Sequence, residues 1–454
     1  MGTQTLSQTP AYRSQPEALP LQDRDAAFLA NPGRIFAVYL GALLLFLQVS
    51  MLNMILSYLT RTNFRLLYLA GLPTFLAILI VGGVRRTFEG RQAYYWIGFV
   101  AWMIAAVPFS SWRSGSLALL ITYLRTAFPM LFVTGGLAIT WRECKVMMYA
   151  ILGGAVVSLL SARFFASAAW ADRAGLEFGT VANPNDLAGH LLLVLPFLFW
   201  RVLASRHVVV RVVAFAGVAY GLYVILESGS RGALVGLAAA GLFFLWRGSA
   251  RQKVVLLAGA PILFAVLVTM VPQHVLHRMS SISADNPEGD AGARESTAMR
   301  MYVLRKSLAY TFQHPLFGVG PGQFGEYEGM HNQLAGMTHG YWHGAHNSYT
   351  EVSSECGIVA ALFYVAAIFS SFRLLASVFR QARARGDCQD IRWAAFCIML
   401  GMVGYCTAIT FLNFAYFFYL PAMVGLAITF NRAAQREFSA RGADLEGSPA
   451  WGYV

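Results

Sequence analysis

Charged side chains are scarce in this chain, and their scarcity decides the class of protein. Asp, Glu, Lys and Arg make up 12% of the 454 residues, whereas hydrophobic residues make up 57%. Soluble globular domains carry about 25% charged residues. The composition therefore excludes an ordinary soluble domain and predicts an integral membrane protein.

Cysteine is also sparse, and its spacing excludes two common uses. No two cysteines have the C-x-x-C spacing of a zinc or redox motif, and most fall in or beside apolar runs. The five are Cys144, Cys356, Cys388, Cys397 and Cys406. We interpret them as small buried hydrophobic residues and predict neither a disulfide framework nor a zinc site.

The N-terminus lacks the apolar stretch of a cleavable signal peptide. Residues 1–33 are polar, with Pro, Gln and Arg, which is typical of a disordered tail. We therefore expect no signal peptide, and we expect this tail to stay in the cytoplasm.

About twelve apolar runs are long enough to act as membrane spans, since a spanning helix needs about 20 mainly apolar residues. They lie at residues 35–59, 66–84, 93–109, 116–139, 146–164, 186–203, 208–226, 232–246, 254–271, 350–375, 392–410 and 414–430. The predicted fold class is all-α, a polytopic membrane protein. The paired, broken segments of inverted-repeat transporters are missing from this pattern.

The loops between these runs alternate between basic and poorly basic, which sets the orientation. Loops rich in Lys and Arg stay in the cytoplasm. The basic loops and tail hold Arg85, Arg86, Arg91, Arg142, Lys145, Arg201, Arg206, Arg211, Arg247, Arg251, Lys253, Arg373, Arg380, Arg383, Arg385, Arg392, Arg432, Arg436 and Arg441. We therefore predict cytoplasmic N- and C-termini. The net charge of +12 follows from this bias, which argues against nucleic acid as a partner.

One outer loop is far longer than the others, and long loops are usually functional or disordered. The predicted organisation is a cytoplasmic tail (1–33), nine transmembrane helices (34–271), a large periplasmic loop (272–349), three further helices (350–430) and a cytoplasmic tail (431–454). Within the loop, ESTAMRMYVLRKSLAYTF predicts an amphipathic helix with Met301, Leu304 and Leu308 on one face and Arg300 beside it.

Three histidines follow in this loop, His339, His343 and His346, at spacings of four and three. On a helix such spacing could bind zinc. Gly340 and Gly344 disfavour a helix there, and H-E-x-x-H does not occur, so a zinc site is the less favoured interpretation.

His346 is the candidate catalytic residue because HNSYTEVSSECG leads directly into the tenth run. A helix there would align His346 with Thr350 and Ser353 and hold the imidazole at the membrane surface. Histidine can take a proton from a hydroxyl group near neutral pH. Asn347, Glu351 and Glu355, in the same segment, are candidate supporting residues.

Arginines in the outer segments are candidate phosphate ligands, because a guanidinium is always charged and can hold two phosphate oxygens. Arg231 lies between two apolar runs, Arg300 in the loop helix, and Arg173 in another outer loop. The alternative for Arg231 is a pair with Glu227 or an extended side chain that reaches the membrane surface. Arg125, inside the fourth run, is a weaker candidate.

Two further motifs have a structural interpretation. GVGPG (318–322) lacks the Lys-Ser/Thr of a phosphate loop and is better explained as a tight turn. In NPND (183–186), Asn185 or Asp186 either caps the sixth helix or contacts substrate. The outer carboxylates form no D-x-D pair, which argues against a metal-dependent enzyme that uses nucleotide sugars.

The order of these motifs resembles the O-antigen ligase and polymerase superfamily, of the Wzy and WaaL type, over roughly residues 35–430. The resemblance rests on SGSRGALVG, STAMRMYVLRKSLAYTFQHPLFGVGPGQF and AHNSYTEVSSECGIVAAL, with NPNDLAGH in support. It implies a glycosyltransferase of the bacterial inner membrane, active at the periplasmic face, that needs neither metal nor cofactor. Its donor is a glycan on undecaprenyl pyrophosphate, and its acceptor is another glycan or lipid A-core.

The resemblance also implies roles for individual residues. The family's arginines, which hold the pyrophosphate, correspond to Arg231 and Arg300, and less closely to Arg173, while the loop histidine that activates the acceptor corresponds to His346. His339 and His343 have no counterpart. A chain-length regulator or a flippase is an implied protein partner.

Three functions stay open on the sequence. A repeat-unit polymerase of O-antigen or exopolysaccharide is favoured over an O-antigen ligase, which moves finished glycan onto lipid A-core. A polytopic transporter or flippase is the third, although the polar residues gather at the outer rim and not at the membrane midplane.

Overall fold

The computed structural model describes residues 28–167, 173–273, 275–276, 291–334 and 342–446. The helices are α1 (Pro32–Ser50), α2 (Leu52–Thr60), α3 (Leu66–Ile80), α4 (Gly83–Thr87), α5 (Arg91–Ala106), α6 (Arg113–Thr126), α7 (Pro129–Gly136), α8 (Trp141–Phe164), α9 (Pro184–Ala204), α10 (Val208–Glu227), α11 (Arg231–Arg247), α12 (Ala250–Met270), α13 (Ala291–Gln313), α14 (Phe324–Leu334), α15 (Ser348–Ala384), α16 (Gln389–Ala408) and α17 (Tyr419–Glu446). These ranges contain no β-strand, only one isolated bridge between Ala166 and Leu176. The predicted all-α class is confirmed.

Eight helical segments of the described chain are long and apolar enough to cross a membrane. They are Pro32–Ser50, Arg91–Phe109, Arg113–Gly136, Trp141–Phe164, Pro184–Ala204, Val208–Glu227, Ser348–Ala384 and Gln389–Phe411. The protein is therefore a multi-pass membrane protein. The other four predicted runs fall on α3, α11, α12 and α17, and the count of twelve stays a prediction.

The first apolar run is not one continuous helix, as its composition predicted, but two. Met51 adopts a left-handed backbone with φ +53° and separates α1 from α2. The Ser50 hydroxyl accepts a hydrogen bond from the Leu52 N–H, at 3.2 Å. A serine hydroxyl that bonds the nearby backbone competes with the helical hydrogen-bond pattern, which explains a break within an apolar run.

Small residues let the central helices approach closely, as is usual where lipid removes the hydrophobic drive for association. A Cβ built on Gly236 of α11 would lie 2.6 Å from the Gly404 carbonyl oxygen of α16. A Cβ on Gly425 of α17 would lie 2.8 Å from the Gly135 nitrogen of α7. Helices α9, α11 and α15 all pack against α16 and share one apolar core.

The long loop between α12 and α15 contains helices α13 and α14, which pack on each other. The predicted helix is present, but its predicted buried face is wrong. The buried residues are Val303, Ser307 and Tyr310, whereas Met301 and Leu308 are 50% and 42% exposed. Both faces of the helix are apolar, so its periodicity could not identify the buried one.

The GVGPG segment forms the predicted tight turn and fastens this loop to α15. Gly318, Gly320 and Gly322 all have positive φ. The Val319 and Gly320 N–H groups donate to the Ser354 and Glu355 carbonyls of α15, at 2.8 and 2.9 Å.

Helix α15 bends where this turn is attached. Gly357 has φ +86°, and a Cβ there would lie 2.1 Å from the Leu316 carbonyl oxygen. The Ile358 N–H donates to the Pro315 carbonyl at 2.8 Å instead of to its own helix. A glycine is required at this break because only glycine adopts that backbone without strain and leaves room for the loop.

The helices place different residues at their two ends. We call the end that carries the 342–348 loop, the 409–418 loop and helix α13 the site end. The N-terminus of α5 and the C-terminal parts of α15 and α17, with Arg91, Arg373 and Arg436, form the basic end. Which end faces the cytoplasm stays a prediction from the basic loops.

Candidate functional site

His346 lies at the site end, in a loop and not on a helix. Asn347 caps α15 by accepting hydrogen bonds from the Tyr349 and Thr350 N–H groups, at 3.0 and 3.2 Å, so the helix begins at Ser348. His346 itself has φ +50°, a left-handed conformation. The predicted helical alignment of His346 with Thr350 and Ser353 is therefore wrong.

The loop before α17 holds His346 in place. The Asn413 side-chain oxygen accepts a hydrogen bond from the His346 N–H at 2.6 Å, and the Asn413 side-chain nitrogen lies 3.5 Å from His346 Nδ1. A Cβ on Gly344 would lie 2.4 Å from the same nitrogen. Asn413 therefore supports the strained backbone of His346 and faces one edge of its ring.

The same two segments are joined at further points along the chain. The Ser348 hydroxyl donates to the Leu412 carbonyl and accepts from the Phe414 N–H, both at 2.8 Å. The Glu351 carboxylate accepts from the Ala415 N–H at 3.2 Å. The start of α15 and residues 412–415 thus form one hydrogen-bonded unit.

Arg300 is brought to His346 by the packing of α13. Ala345, next to His346 in sequence, is buried in a cluster with Val303 and Tyr310 of α13. Arg300 lies one turn before Val303, and its charge acts on His346 and on Asp186 at the start of α9. The predicted pair of one arginine and one histidine therefore lies in one place.

The surroundings of His346 keep its ring neutral. Burial, the charge of Arg300 and the neighbouring His343 together lower the pKa of His346 to about 4. At neutral pH the imidazole is therefore uncharged, so it can accept a proton or donate one hydrogen bond.

Arg173 connects two elements of the site end. Its Nε donates to the Ser228 carbonyl at 2.8 Å, and its guanidinium donates to the Asn185 side-chain oxygen at 3.2 Å. Asn183, not Asn185 or Asp186, caps α9, accepting from the Asn185 N–H at 2.9 Å. The predicted cap was therefore assigned to the wrong residue of the NPND motif.

Arg231 is the first residue of α11, and the next residue, Gly232, lies against the same loop that holds His346. A Cβ on Gly232 would lie 2.8 Å from Phe411, two residues before Asn413. Ser230 caps the helix by accepting from the Ala233 N–H at 3.4 Å. Arg231 is half-buried, as are Arg173 and Arg300.

Glu351 and Glu355 are buried, 9% and 4% exposed, and bind the protein's own backbone. Glu355 accepts hydrogen bonds from the Gly322 N–H at 2.7 Å, the Phe324 N–H at 3.1 Å and the Tyr416 hydroxyl at 2.6 Å. These contacts join α15, the GVGPG turn and the 409–418 loop. Both carboxylates therefore hold together the segments around the site.

Two buried polar side chains near the site, His190 and Tyr419, were not identified from the sequence. His190 of α9 is fully buried; its ring nitrogens lie 3.0 Å from the Ser158 hydroxyl and 2.9 Å from the Tyr419 hydroxyl. Tyr419 in turn interacts with Asp186. His190 lies four residues after Asp186, so the helical spacing in NDLAGH was the available signal.

Of the other two histidines in the possible zinc set, only His343 lies within the described residues. The rings of His343 and His346 lie 6.4 Å apart, and His339 lies outside the described residues. Among the described residues, no group of three or more His, Cys, Asp or Glu side chains could hold a metal ion.

The comparison with known families covers this part of the chain. Residues 216–365, about a third of the chain, match the family model Wzy_C, described as O-antigen ligase. Arg231, Arg300 and His346 all fall within the match. A search of curated proteins gave no significant match. The predicted resemblance of the chain to the O-antigen ligase and polymerase superfamily is thus confirmed.

Proposed function

We propose that the protein transfers a glycan from undecaprenyl pyrophosphate to a hydroxyl group of another glycan, as a repeat-unit polymerase of O-antigen or exopolysaccharide. One observation carries the proposal: within the family match, the permanently charged Arg300 is near enough to His346 for its charge to help keep that imidazole neutral. A cation for the leaving phosphate and a neutral imidazole for the attacking hydroxyl are the two groups that this reaction needs.

Arg231 and Arg300 bind the pyrophosphate and stabilise the negative charge that grows on it as it leaves. Arg173 bonds the turn that precedes Arg231 and the start of α9, and it completes the arginine set. Because a guanidinium can hold two phosphate oxygens, these residues fix the position of the donor as well as its charge.

His346 acts on the acceptor hydroxyl. The hydroxyl oxygen forms a bond to the anomeric carbon while the bond from that carbon to the phosphate oxygen breaks, and its electron pair goes to the pyrophosphate. The hydroxyl proton passes to the imidazole or to solvent beside it. Because this is a single displacement, the anomeric configuration inverts.

We place this reaction at the periplasmic face of the bacterial inner membrane, with both termini in the cytoplasm. The basic end carries the Arg-rich segments that stay on the cytoplasmic side, so the site end faces the periplasm. The donor's lipid tail remains in the bilayer beside the helices.

The decisive experiment uses purified protein with a lipid-linked oligosaccharide and follows glycan length. His346→Ala should abolish the product, a loss of at least about 100-fold. His331→Ala, an exposed histidine of α14 in the same loop, is the matched control and should keep full activity. Normal glycan length with His346→Ala would refute the proposed role.

His346→Gln separates two roles for the ring. The glutamine amide can donate a hydrogen bond but cannot accept the hydroxyl proton. Partial activity would assign His346 to orienting the acceptor, whereas activity as low as that of His346→Ala would assign it to proton transfer.

The alternative is an O-antigen ligase, the activity after which the matched family model is described. A deletion strain decides between the two. Single-repeat glycans at the cell surface would identify a polymerase, while long chains that remain on undecaprenyl pyrophosphate would identify a ligase.

A further inference from the structure

The basic end contains a cavity that the proposed reaction does not use. It has a volume of about 840 Å³ and lies between the N-terminus of α5 and the C-terminal parts of α15 and α17. Arg373 lies 25 residues along α15 from its first residue, which corresponds to about 37 Å of helix. The cavity therefore lies far from His346, at the other end of the same helices.

Four arginines from three helices line this cavity: Arg91 of α5, Arg373 of α15, and Arg432 and Arg436 of α17. Arg91, Arg373 and Arg436 are exposed. The cavity also contains Glu89, whose carboxylate lies 2.6 Å from the Arg432 guanidinium and is neutralised by it. The cavity thus has a net positive charge that suits a phosphate group.

One buried side chain in the cavity lining has an unused hydrogen-bonding atom. Gln92 is 6% exposed, and its side-chain nitrogen donates to the Ser370 carbonyl at 3.1 Å, which fixes the orientation of the amide. Its side-chain oxygen is buried and has no hydrogen-bond partner in the described structure. A buried acceptor of this kind calls for a donor such as a hydroxyl group.

An apolar surface leads from the cavity along α15. Leu362, Val365 and Phe369 are 65%, 46% and 59% exposed and share one face of the helix with Arg373. Phe369 also lines the cavity. A molecule with a charged head and an apolar tail would therefore find both parts matched, which a soluble anion would not.

We propose that this cavity binds the headgroup of an anionic phospholipid from the adjacent leaflet, one that carries a hydroxyl group beside its phosphate, as phosphatidylglycerol does. The arginines hold the phosphate, the Gln92 oxygen accepts the headgroup hydroxyl, and an acyl chain lies along Leu362, Val365 and Phe369. The site does not depend on the proposed reaction.

The test measures lipids that remain bound to the purified full-length protein by native mass spectrometry. The protein is exchanged from detergent into nanodiscs with equal phosphatidylglycerol and phosphatidylcholine. We expect phosphatidylglycerol to be enriched and the double variant Arg91→Gln/Arg373→Gln to lose this enrichment, about five-fold for each arginine removed.

The matched control is Arg380→Gln/Arg383→Gln, which removes the same charge from exposed arginines of α15 outside the cavity lining. This control should keep the enrichment. An equal loss in the control would overturn the site in favour of general attraction to the basic end. Equal retention of phosphatidylcholine by the native protein would overturn it by showing that the cavity does not select an anionic headgroup.

Two further arms test the ligand's chemistry. Gln92→Met should remove the preference for phosphatidylglycerol over phosphatidic acid, which lacks the headgroup hydroxyl, and leave anionic binding intact; an unchanged preference would refute the role of Gln92. Glycerol 1-phosphate at millimolar concentration should not displace the lipid. Displacement would identify a soluble phosphate ester as the ligand and overturn the lipid assignment.

Discussion

The two ends of the helical bundle use arginine in opposite ways. At the site end, Arg173, Arg231 and Arg300 are half-buried and set among loops that bond one another. At the basic end, Arg91, Arg373 and Arg436 are exposed around an open cavity. The same residue type is therefore half-buried where a reaction is proposed and exposed where the cavity opens.

The largest difference between the ends should appear when one arginine is removed from each. Arg300→Gln should lower the rate of glycan transfer by about 100- to 1,000-fold, because a fixed cation that stabilises the leaving group is lost. Arg436→Gln at the basic end should leave the rate unchanged. Single-turnover rates on a lipid-linked oligosaccharide measure both, and equal effects would show that the distinction is wrong.

One carboxylate at each end, Glu355 and Glu89, extends the comparison to the stability of the fold. Glu355→Leu should lower the free energy of unfolding by about 2–4 kcal/mol, because buried donors of the GVGPG turn lose their acceptor. Glu89→Gln, at a half-exposed ion pair with Arg432, should cost no more than about 1 kcal/mol. Thermal unfolding in one detergent compares them, and similar shifts would contradict the assigned roles.

Asn413 tests whether the site end depends on its supporting loop. Asn413→Ala should lower activity by about ten-fold, since the His346 N–H loses its acceptor and the ring is released. Asn413→Asp keeps that acceptor oxygen and should recover part of the rate. If both variants match the native enzyme in kcat, Asn413 does not position His346.

The smallest expected effect concerns pH. Because the pKa of His346 is lowered to about 4, the neutral ring persists well below the ordinary pKa of histidine. The kcat/KM should therefore stay level as pH falls from about 8 to about 5 and decrease only as pH approaches 4. A decrease centred near pH 6.5 would indicate an exposed ring with an ordinary pKa.

Apolar runs and their lengths were sufficient to predict most of the long helices, since each predicted run falls on one helix or on two consecutive helices. The break at Met51 escaped prediction because Met and Leu continue the apolar pattern on both sides. The buried face of α13 was predicted wrongly because Met301 and Val303 are both apolar and only packing against α15 decides between them.

Within the candidate site, residue chemistry and motif order predicted roles for Arg231, Arg300 and His346, which stay predictions, but not the contacts that hold His346. Asn413 lies 67 residues from His346 in sequence, so no local pattern connects them. The expected helix through His346 was wrong because Asn347, as cap, starts the helix one residue after itself. Sequence alone does not show which distant segments contact each other. It also does not show which of several neighbouring candidates caps a helix.

The break in α15 at Gly357 limits which segments can be exchanged between related proteins. Since residues 315–320 supply hydrogen bonds that α15 gives up at this point, the loop and the helix must change together. A chimaera that exchanges the loop with a relative should join its segments before residue 291 and after residue 358. A junction between these points would divide the hydrogen bonds shared by the loop and α15. We expect such a chain to insert into the membrane but not to reach its folded structure.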